Sequence, residues 1–390
     1  MASADVASDG LWYFDDLHVQ EALDSGADGR GITVAVIDSP INLSVPTLVG
    51  ADISVSDAEP CYLDGEKISS VSDDISVATH GTNVASLIVG SGAGYGTQLG
   101  LKGVAPGVSI RYYIGGDFSD KHCRSEDGEL SDDLPAEIKQ AVKDGADIIS
   151  MSIVAGQSDA LVDAIAQAER EGVILVFGLT NHNNEAAGWT PTANGVVSVQ
   201  AADRDANILS TDGTTPNFDP AVDVVAPGVG ILLQGSENAG KWEQLSIGRG
   251  TSYATPIVAG FLADVWSKYP NATSNQLIQT LIHNTGTEDH ELTYEEKNRG
   301  YGFVSLTHML IVDPTQYPDA NPLLIDSAVP SKEQIFGSAT SKPSSPATGE
   351  PSSSGYPLTV VLGLVGALIL LLVVLAIVVF ARRHSRKKSV

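Results

Sequence analysis

Short apolar runs alternate with amphipathic stretches along residues 11–325 of this 390-residue chain. Five runs are rich in β-branched residues and are bounded by turn formers, which is typical of buried strands. They cover residues 32–37, 108–114, 147–153, 173–179 and 196–202. Buried parallel strands have nearly continuous apolar sequences, so the pattern predicts an α/β fold in three layers, with a mostly parallel sheet between helices.

Polar caps and apolar periodicity mark the predicted helices. Two helices are predicted over residues 131–145 and 158–172, each with a serine at its N-cap. Thr273 and Gln276 have the spacing of a capping box at the start of a later helix. A further apolar helix is predicted over residues 252–270, and its first residue is also a serine, a preferred N-cap.

The composition changes near residue 326. Ser, Pro, Thr and Gly dominate as far as residue 355, which predicts a disordered linker. Residues 357–380 are 24 positions without a charge, more than the roughly 20 needed to span a bilayer, and a basic tail follows. The predicted organisation is an extension (1–30), a catalytic domain (31–325), a linker (326–355), a membrane helix (356–381) and a tail (382–390).

The basic tail predicts a cytoplasmic C-terminus and a domain outside the membrane, by the positive-inside rule. Residues 1–16 are acidic and polar, unlike a signal peptide, which leaves two alternatives. In the first, a leader was removed or the start of the chain was misassigned. In the second, the domain is cytoplasmic. We expect the first, because the basic tail is present in the chain itself. The string SPATGE at 345–350 is one leucine short of a sortase signal, and linker composition alone explains it.

Charge and cysteine content narrow the function classes. The net charge is −26, from 22 basic and 48 acidic residues, which argues against a nucleic-acid partner. Cys61 and Cys123 form neither a CxxC pair nor a Cys/His cluster, so we expect no metal and no cofactor. In an exported domain we expect these two cysteines to be joined, whereas in a cytosolic domain they would be buried thiols.

Three residues carry candidate chemistry. Asp38 ends the run ITVAVID, His80 opens HGTNVAS, and Ser252 lies in GTSYATPIVAG. Each has a plainer explanation when taken alone: a turn former, an exposed histidine and a helix cap. Together they supply a carboxylate, a base that the carboxylate orients, and a nucleophile that the base deprotonates.

These motifs, in the order Asp, His, Ser, resemble those of the subtilases, the subtilisin-like serine peptidases. Further similar segments occur in the same order: GVAP (103–106), ADIISMSI (146–153), DVVAPG (223–228) and GYGFVSL (300–306). The resemblance implies a subtilisin-like fold and an endopeptidase that cleaves protein or peptide substrates through an acyl-enzyme. It also implies that Asp38, His80 and Ser252 form the triad and that Asn181 donates to the oxyanion.

Three positions depart from the subtilase pattern. Pro40 replaces a common Gly, Asn83 replaces a common second His, and Thr180 replaces the Gly before the oxyanion asparagine. None of them removes a triad atom. Thr180 belongs to a stretch that forms a wall of the substrate pocket in subtilases, so its branched side chain is expected to narrow that pocket.

The order of domain, linker, span and basic tail is similar to the mycosins, the membrane-anchored subtilases of type VII secretion. The two cysteines also fit that resemblance. It implies a single-pass protein of the cell membrane whose peptidase domain faces outward and processes secretion substrates. The alternative is a scaffold that stabilises a membrane secretion complex, with peptidase activity secondary.

Overall fold

A seven-stranded parallel sheet lies at the centre of the computed structural model. The structure describes residues 9–56, 61–63, 65–115, 117–118, 121–124, 126, 133–181, 188–286, 290–295 and 299–337. The described residues form one compact unit, and residues 338–390 lie outside the described part.

The strands follow the predicted apolar runs and add several short ones. They are β1 (Thr33–Asp38), β2 (Ile53–Val55), β3 (Cys61–Leu63), β4 (Glu66–Ile68), β5 (Ser91–Ala93), β6 (Leu99–Lys102), β7 (Ser109–Ile114), β8 (Asp117–Phe118), β9 (Lys121–His122), β10 (Ile148–Met151), β11 (Ile174–Gly178), β12 (Val197–Ala202), β13 (Val224–Pro227), β14 (Val229–Ser236) and β15 (Lys241–Arg249). The sheet order is β13-β12-β11-β10-β1-β7-β2, with all pairs parallel, and β14 and β15 form an antiparallel hairpin.

Helices cover both faces of the sheet. They are α1 (Trp12–Asp16), α2 (Val19–Asp24), α3 (Ile75–Val89), α4 (Leu134–Lys143), α5 (Asp159–Arg170), α6 (Thr251–Lys268), α7 (Ser274–His283), α8 (Leu306–Ile311) and α9 (Lys332–Phe336). Alternate residues of β1 pack into two different cores: Val34 and Val36 contact the cluster that contains α3 and α6, and Ala35 and Ile37 contact the one that contains α4 and α5. This confirms the predicted three-layer α/β fold, since a strand with both faces buried must be apolar at every position.

The helix caps test the sequence patterns directly. Ser158 Oγ accepts from Leu161 N at 3.2 Å, and Thr273 with Gln276 forms the predicted capping box. The prediction that Ser252 is an N-cap is wrong, because Gly250 holds that position and Ser252 is the second residue of α6. The helix predicted from residue 131 begins at Leu134, and Ser131 lies outside the described residues.

The domain extends further than predicted. Helix α9 falls in the segment assigned to the linker, where Ile335 is fully buried and Ser331 forms a capping box with Gln334. Arg170 of α5 also donates to the backbone oxygen of Gln334 at 2.8 Å. The boundary at residue 325 is therefore too early, because one buried apolar side chain and a cap hold this polar segment to the domain.

A disulfide joins Cys61 and Cys123, as expected for an exported domain. Both cysteines are buried, and the backbone pair of Tyr62 and Arg124 adds two hydrogen bonds beside them, at 2.9 and 3.1 Å. The bridge closes a loop of 62 residues, which in the chain-entropy picture stabilises the fold by about 4 kcal/mol.

No helix in the described part of the chain is long and apolar enough to cross a membrane. The predicted membrane helix at residues 356–381 lies outside that part, so it stays a prediction.

Candidate active site

Asp38 is the last residue of β1, near the middle of the sheet. Its side chain is buried, and Oδ1 accepts from Ser39 N at 2.7 Å and from Ser39 Oγ at 3.1 Å. The carboxyl ends of parallel strands are where ligand sites of α/β sheets form. Asp38 is therefore a fixed carboxylate on the edge of the sheet where a site is expected.

His80 lies in the second turn of α3, which begins five residues earlier, after the cap residue Asp74. The imidazole Nδ1 lies 2.7 Å from Asp38 Oδ1. The following residue, Gly81, allows this contact. A Cβ there would lie 1.9 Å from Tyr112 Oη and 2.5 Å from Ser39 O, so any other residue would push α3 away from β1.

The hydrogen bond with Asp38 sets the protonation of His80. A carboxylate only accepts, so Nδ1 carries the proton and Nε2 is left as the acceptor. Burial of the imidazole lowers its pKa, but the charge and hydrogen bond of Asp38 and the charge of Glu237 raise it more. The pKa of His80 therefore lies above its usual value of 6.5, although 37% of the side chain is still exposed.

Ser252 is the second residue of α6, and the residue after it lies near His80. The ring of the next residue, Tyr253, has its centroid 6.1 Å from that of His80. Within the described residues, Ser252 and His80 form no hydrogen bond with each other. Catalytic hydrogen bonds often tighten only when substrate is bound, so the lack of this bond does not decide the role of either residue.

The backbone of Ser252 has an unusual partner. Pro256 has no N–H, so the carbonyl oxygen of Ser252, four residues earlier, loses its helical donor. Ser152, just after β10, donates its hydroxyl to this oxygen at 3.0 Å. A side chain from the sheet therefore replaces the missing helical bond and ties the start of α6 to the strand ends.

Asn181 follows β11 and contacts the start of α6. Its Oδ1 accepts from Thr251 N at 2.9 Å and from Thr251 Oγ1 at 3.2 Å. Because a backbone N–H needs an acceptor, these bonds fix which end of the amide is oxygen and leave Nδ2 as a donor. The side-chain amide of Asn181 is thereby fixed to Thr251, the residue before Ser252.

A cavity of about 390 Å³ opens beside these residues. Its described lining comprises Asp38, Ser39, Ser76, Val77, Thr79, His80, Ser152, Ile153, Val154 and Glu237. The structure thus brings Asp38 and His80 to one cleft. Ser152, which also lines it, bonds the backbone oxygen of Ser252, whereas Ser252 and Asn181 are not among the described lining residues. In the described chain, no cluster of three or more His, Cys, Asp or Glu side chains could hold a metal ion.

Several residues of the site have no clear signal in the sequence. Glu237 lies on a turn between β14 and β15, and nothing in the local pattern assigns it to the cleft. Ser152 lies in the segment ADIISMSI, and its sequence context assigns no role to it. Asn83, a departure from the subtilase pattern, bonds Gln234 of the hairpin in both directions, at 2.7 and 3.0 Å.

Known proteins are similar to this chain in sequence and in fold. A profile of the subtilase family matches residues 29–304. The chain is 28% identical to a thermostable alkaline protease of Halalkalibacterium halodurans, over 71% of this chain and 68% of that protein. It is 29% identical to fervidolysin of Fervidobacterium pennivorans and to subtilisin E of Bacillus subtilis, covering 77% and 67% of this chain but only 43% and 62% of those proteins.

Two solved structures have a fold similar to that of this chain. The crystal structure of fervidolysin matches with a TM-score of 0.60 at 25% identity, over 82% of this chain and 48% of that one. That of MycP1 from the ESX-1 type VII secretion system matches with a TM-score of 0.59 at 21% identity, over 80% and 88%. The second likeness shows the fold alone.

The fold and the cleft define a protein of the α/β class in which Asp38 and His80 are bonded at the carboxyl edge of the sheet. The chain belongs to the subtilase family, and its class is that of the subtilisin-like serine endopeptidases.

The link between Ser152 and Pro256 gives a first prediction. Ser152→Ala leaves the Ser252 carbonyl without a donor and should cost about 1–3 kcal/mol of unfolding free energy. In a Pro256→Ala background the helix regains its N–H, so the same change should cost less. Urea unfolding of the four proteins measures this double-mutant cycle. If the costs of the two single substitutions add up to the cost of the double substitution within about 0.5 kcal/mol, the Ser152 hydroxyl does not replace the missing helical donor.

The raised pKa of His80 gives a second prediction. A histidine that accepts a proton during catalysis must be neutral, so kcat/KM is expected to fall as the pH drops through a pKa above 6.5. Glu237→Gln removes a negative charge that stabilises the imidazolium, and the acid limb should move to lower pH. Glu243→Gln, on the exposed part of the same hairpin, is the control and should leave the limb in place. A move to higher pH would refute the assignment.

Proposed function

We propose that this protein is a membrane-anchored, extracytoplasmic serine endopeptidase in which Ser252, His80 and Asp38 form the catalytic triad. The observation that carries the proposal is the 2.7 Å contact between His80 Nδ1 and Asp38 Oδ1, in a cleft next to the start of α6. This contact leaves Nε2 free to accept a proton, and we infer that Ser252 supplies it.

The chemistry uses each residue in turn. Nε2 of His80 takes the Ser252 hydroxyl proton while Oγ attacks the peptide carbonyl carbon. The tetrahedral intermediate collapses, the C–N bond breaks, and His80 returns the proton to the leaving amine. The acyl-enzyme is then hydrolysed by water, which His80 deprotonates in the same way. Asp38 holds the imidazole and stabilises its charged form throughout.

Charge on the carbonyl oxygen is stabilised at the start of α6. The backbone N–H of Ser252 and Nδ2 of Asn181 are the two donors, and one such donor contributes roughly 3–4 kcal/mol to transition-state stabilisation. The amino end of an 18-residue helix adds a partial positive charge near the same place. Asn181 fits this role because its amide oxygen is already engaged by Thr251.

The anchoring follows from the C-terminal sequence. Residues 356–381 are the membrane helix, and the basic tail lies in the cytoplasm. The Cys61–Cys123 disulfide supports an oxidising compartment for the domain. This arrangement, together with the fold shared with MycP1, supports a mycosin-like peptidase that processes type VII secretion substrates. The intact contact between Asp38 and His80 favours this role over a scaffold in which peptidase activity is secondary.

The nucleophile can be tested by one substitution. Ser252→Ala should lower kcat by roughly 10⁶-fold, the scale found when a triad serine is removed, because the base has no hydroxyl to deprotonate. Ser210→Ala, on an exposed loop bonded to Asp212, is the matched control and should retain activity. Labelling with a fluorophosphonate should occur in the wild type and in Ser210→Ala but not in Ser252→Ala. A folded wild type that never labels would refute the proposed chemistry.

The topology needs a separate test. An epitope inserted within residues 338–355 should be digested when protease is added to intact cells, because the linker lies outside. An epitope added after Val390 should be spared. The reverse pattern would place the domain in the cytoplasm and would rule out the anchored, outward-facing arrangement.

A further inference from the structure

We propose that Glu237 selects peptides that carry a basic side chain next to His80. This inference rests on the proposed function, since it assigns a substrate preference to the same cleft.

Glu237 is held in place by the hairpin that carries it. It begins the short turn Glu237–Ala239 that connects β14 to β15, so its position depends on how the hairpin sits on α3. Asn83 of α3 exchanges two hydrogen bonds with Gln234, and Trp242 Nε1 donates to Asp73 O at 2.8 Å. Contacts on both strands of the hairpin therefore fix the turn beside the start of α3, where His80 lies.

The described lining of the cleft carries negative charge. The described residues that line it include two carboxylates, Asp38 and Glu237, and no Lys or Arg. Asp38 already accepts from His80 and Ser39. Glu237 is exposed, and within the described part of the chain its side chain forms no ion pair. Glu237 and His80 line the same cleft, so a peptide bound beside His80 passes close to the Glu237 carboxylate.

The rest of the lining suits a long basic side chain. Val77, Ile153 and Val154 give the wall apolar surface, against which the methylene stem of a Lys or Arg can pack while its charge reaches Glu237. An acidic substrate side chain in the same place would face two carboxylates. The net charge of −26 acts in the same direction over longer range, because it attracts basic peptides.

The test uses internally quenched octapeptides in which one position at a time is fixed as Lys, norleucine or Glu. Norleucine keeps the stem of Lys and removes its charge. At one position beside the cleaved bond, kcat/KM of the wild type should be about five- to tenfold higher for Lys than for norleucine, the scale of a partly exposed ion pair. In Glu237→Gln, kcat/KM should be equal for the Lys and norleucine peptides. In Glu237→Lys, the peptide with Glu at that position should become a better substrate than the one with Lys.

Two controls make the outcome specific. Glu243→Gln removes a charge from the same hairpin away from the cleft, and it should keep the ratio for Lys over norleucine. Binding of the Lys and norleucine peptides to Ser252→Ala, with and without Glu237→Gln, measures the same preference without turnover. Equal ratios in the proteins with and without Glu237 would overturn the inference. Failure of the wild type to label with a fluorophosphonate would instead count against the triad, so the two failures are distinguishable.

Discussion

The approach of α3 to the end of β1 is the constraint on which the site depends. Only a residue without a Cβ fits at Gly81, because Tyr112 Oη and Ser39 O already occupy that space. Tyr112 Oη in turn donates to Ser39 O at 2.5 Å, and Gly81 N donates to Ser39 Oγ at 3.0 Å. A retreat of α3 by the width of one methyl group would exceed the roughly 0.5 Å within which a catalytic group must be held. The contact between His80 and Asp38 would then be lost.

The second constraint comes from the carboxyl edge of the parallel sheet. Asp38, Ser152 and Asn181 follow or end three adjacent strands, β1, β10 and β11, and parallel strands end on the same side of a sheet. Each of these side chains meets either α3 or the start of α6. The sheet is therefore the common reference that brings together residues more than 140 positions apart, and the helices need only dock onto it.

The predictable parts were those with short-range signals. The five apolar runs gave strands within one to two residues of their observed ends, since continuous burial leaves a clear pattern. The hairpin of β14 and β15 was missed because β15 is largely exposed and alternates weakly. Helix α9 was missed because a single buried residue, Ile335, is too little to stand out in a Ser/Pro-rich segment.

The residues of the site also fall into predictable and unpredictable groups. Asp38, His80, Ser252 and Asn181 lie in recognisable motifs; the structure bonds Asp38 to His80 in one cleft and Asn181 to Thr251, the residue before Ser252. The role of Ser152 was not predictable, because it arises from a carbonyl that Pro256 leaves free on another element. Contacts of this kind depend on how two elements dock, and no local pattern in the chain records them.

The hairpin of β14 and β15 links the pKa of His80 to the proposed substrate preference of the cleft. Through Asn83 it contacts the helix that carries His80, and through its turn it presents Glu237 to the same cavity. The charge of Glu237 raises the pKa of His80, and the same charge would pair with a basic substrate side chain. Once paired, it would stabilise the imidazolium less. A basic peptide would therefore lower the pKa of His80 as it binds, so that the enzyme holding its preferred substrate keeps a neutral base to a lower pH than the empty enzyme does.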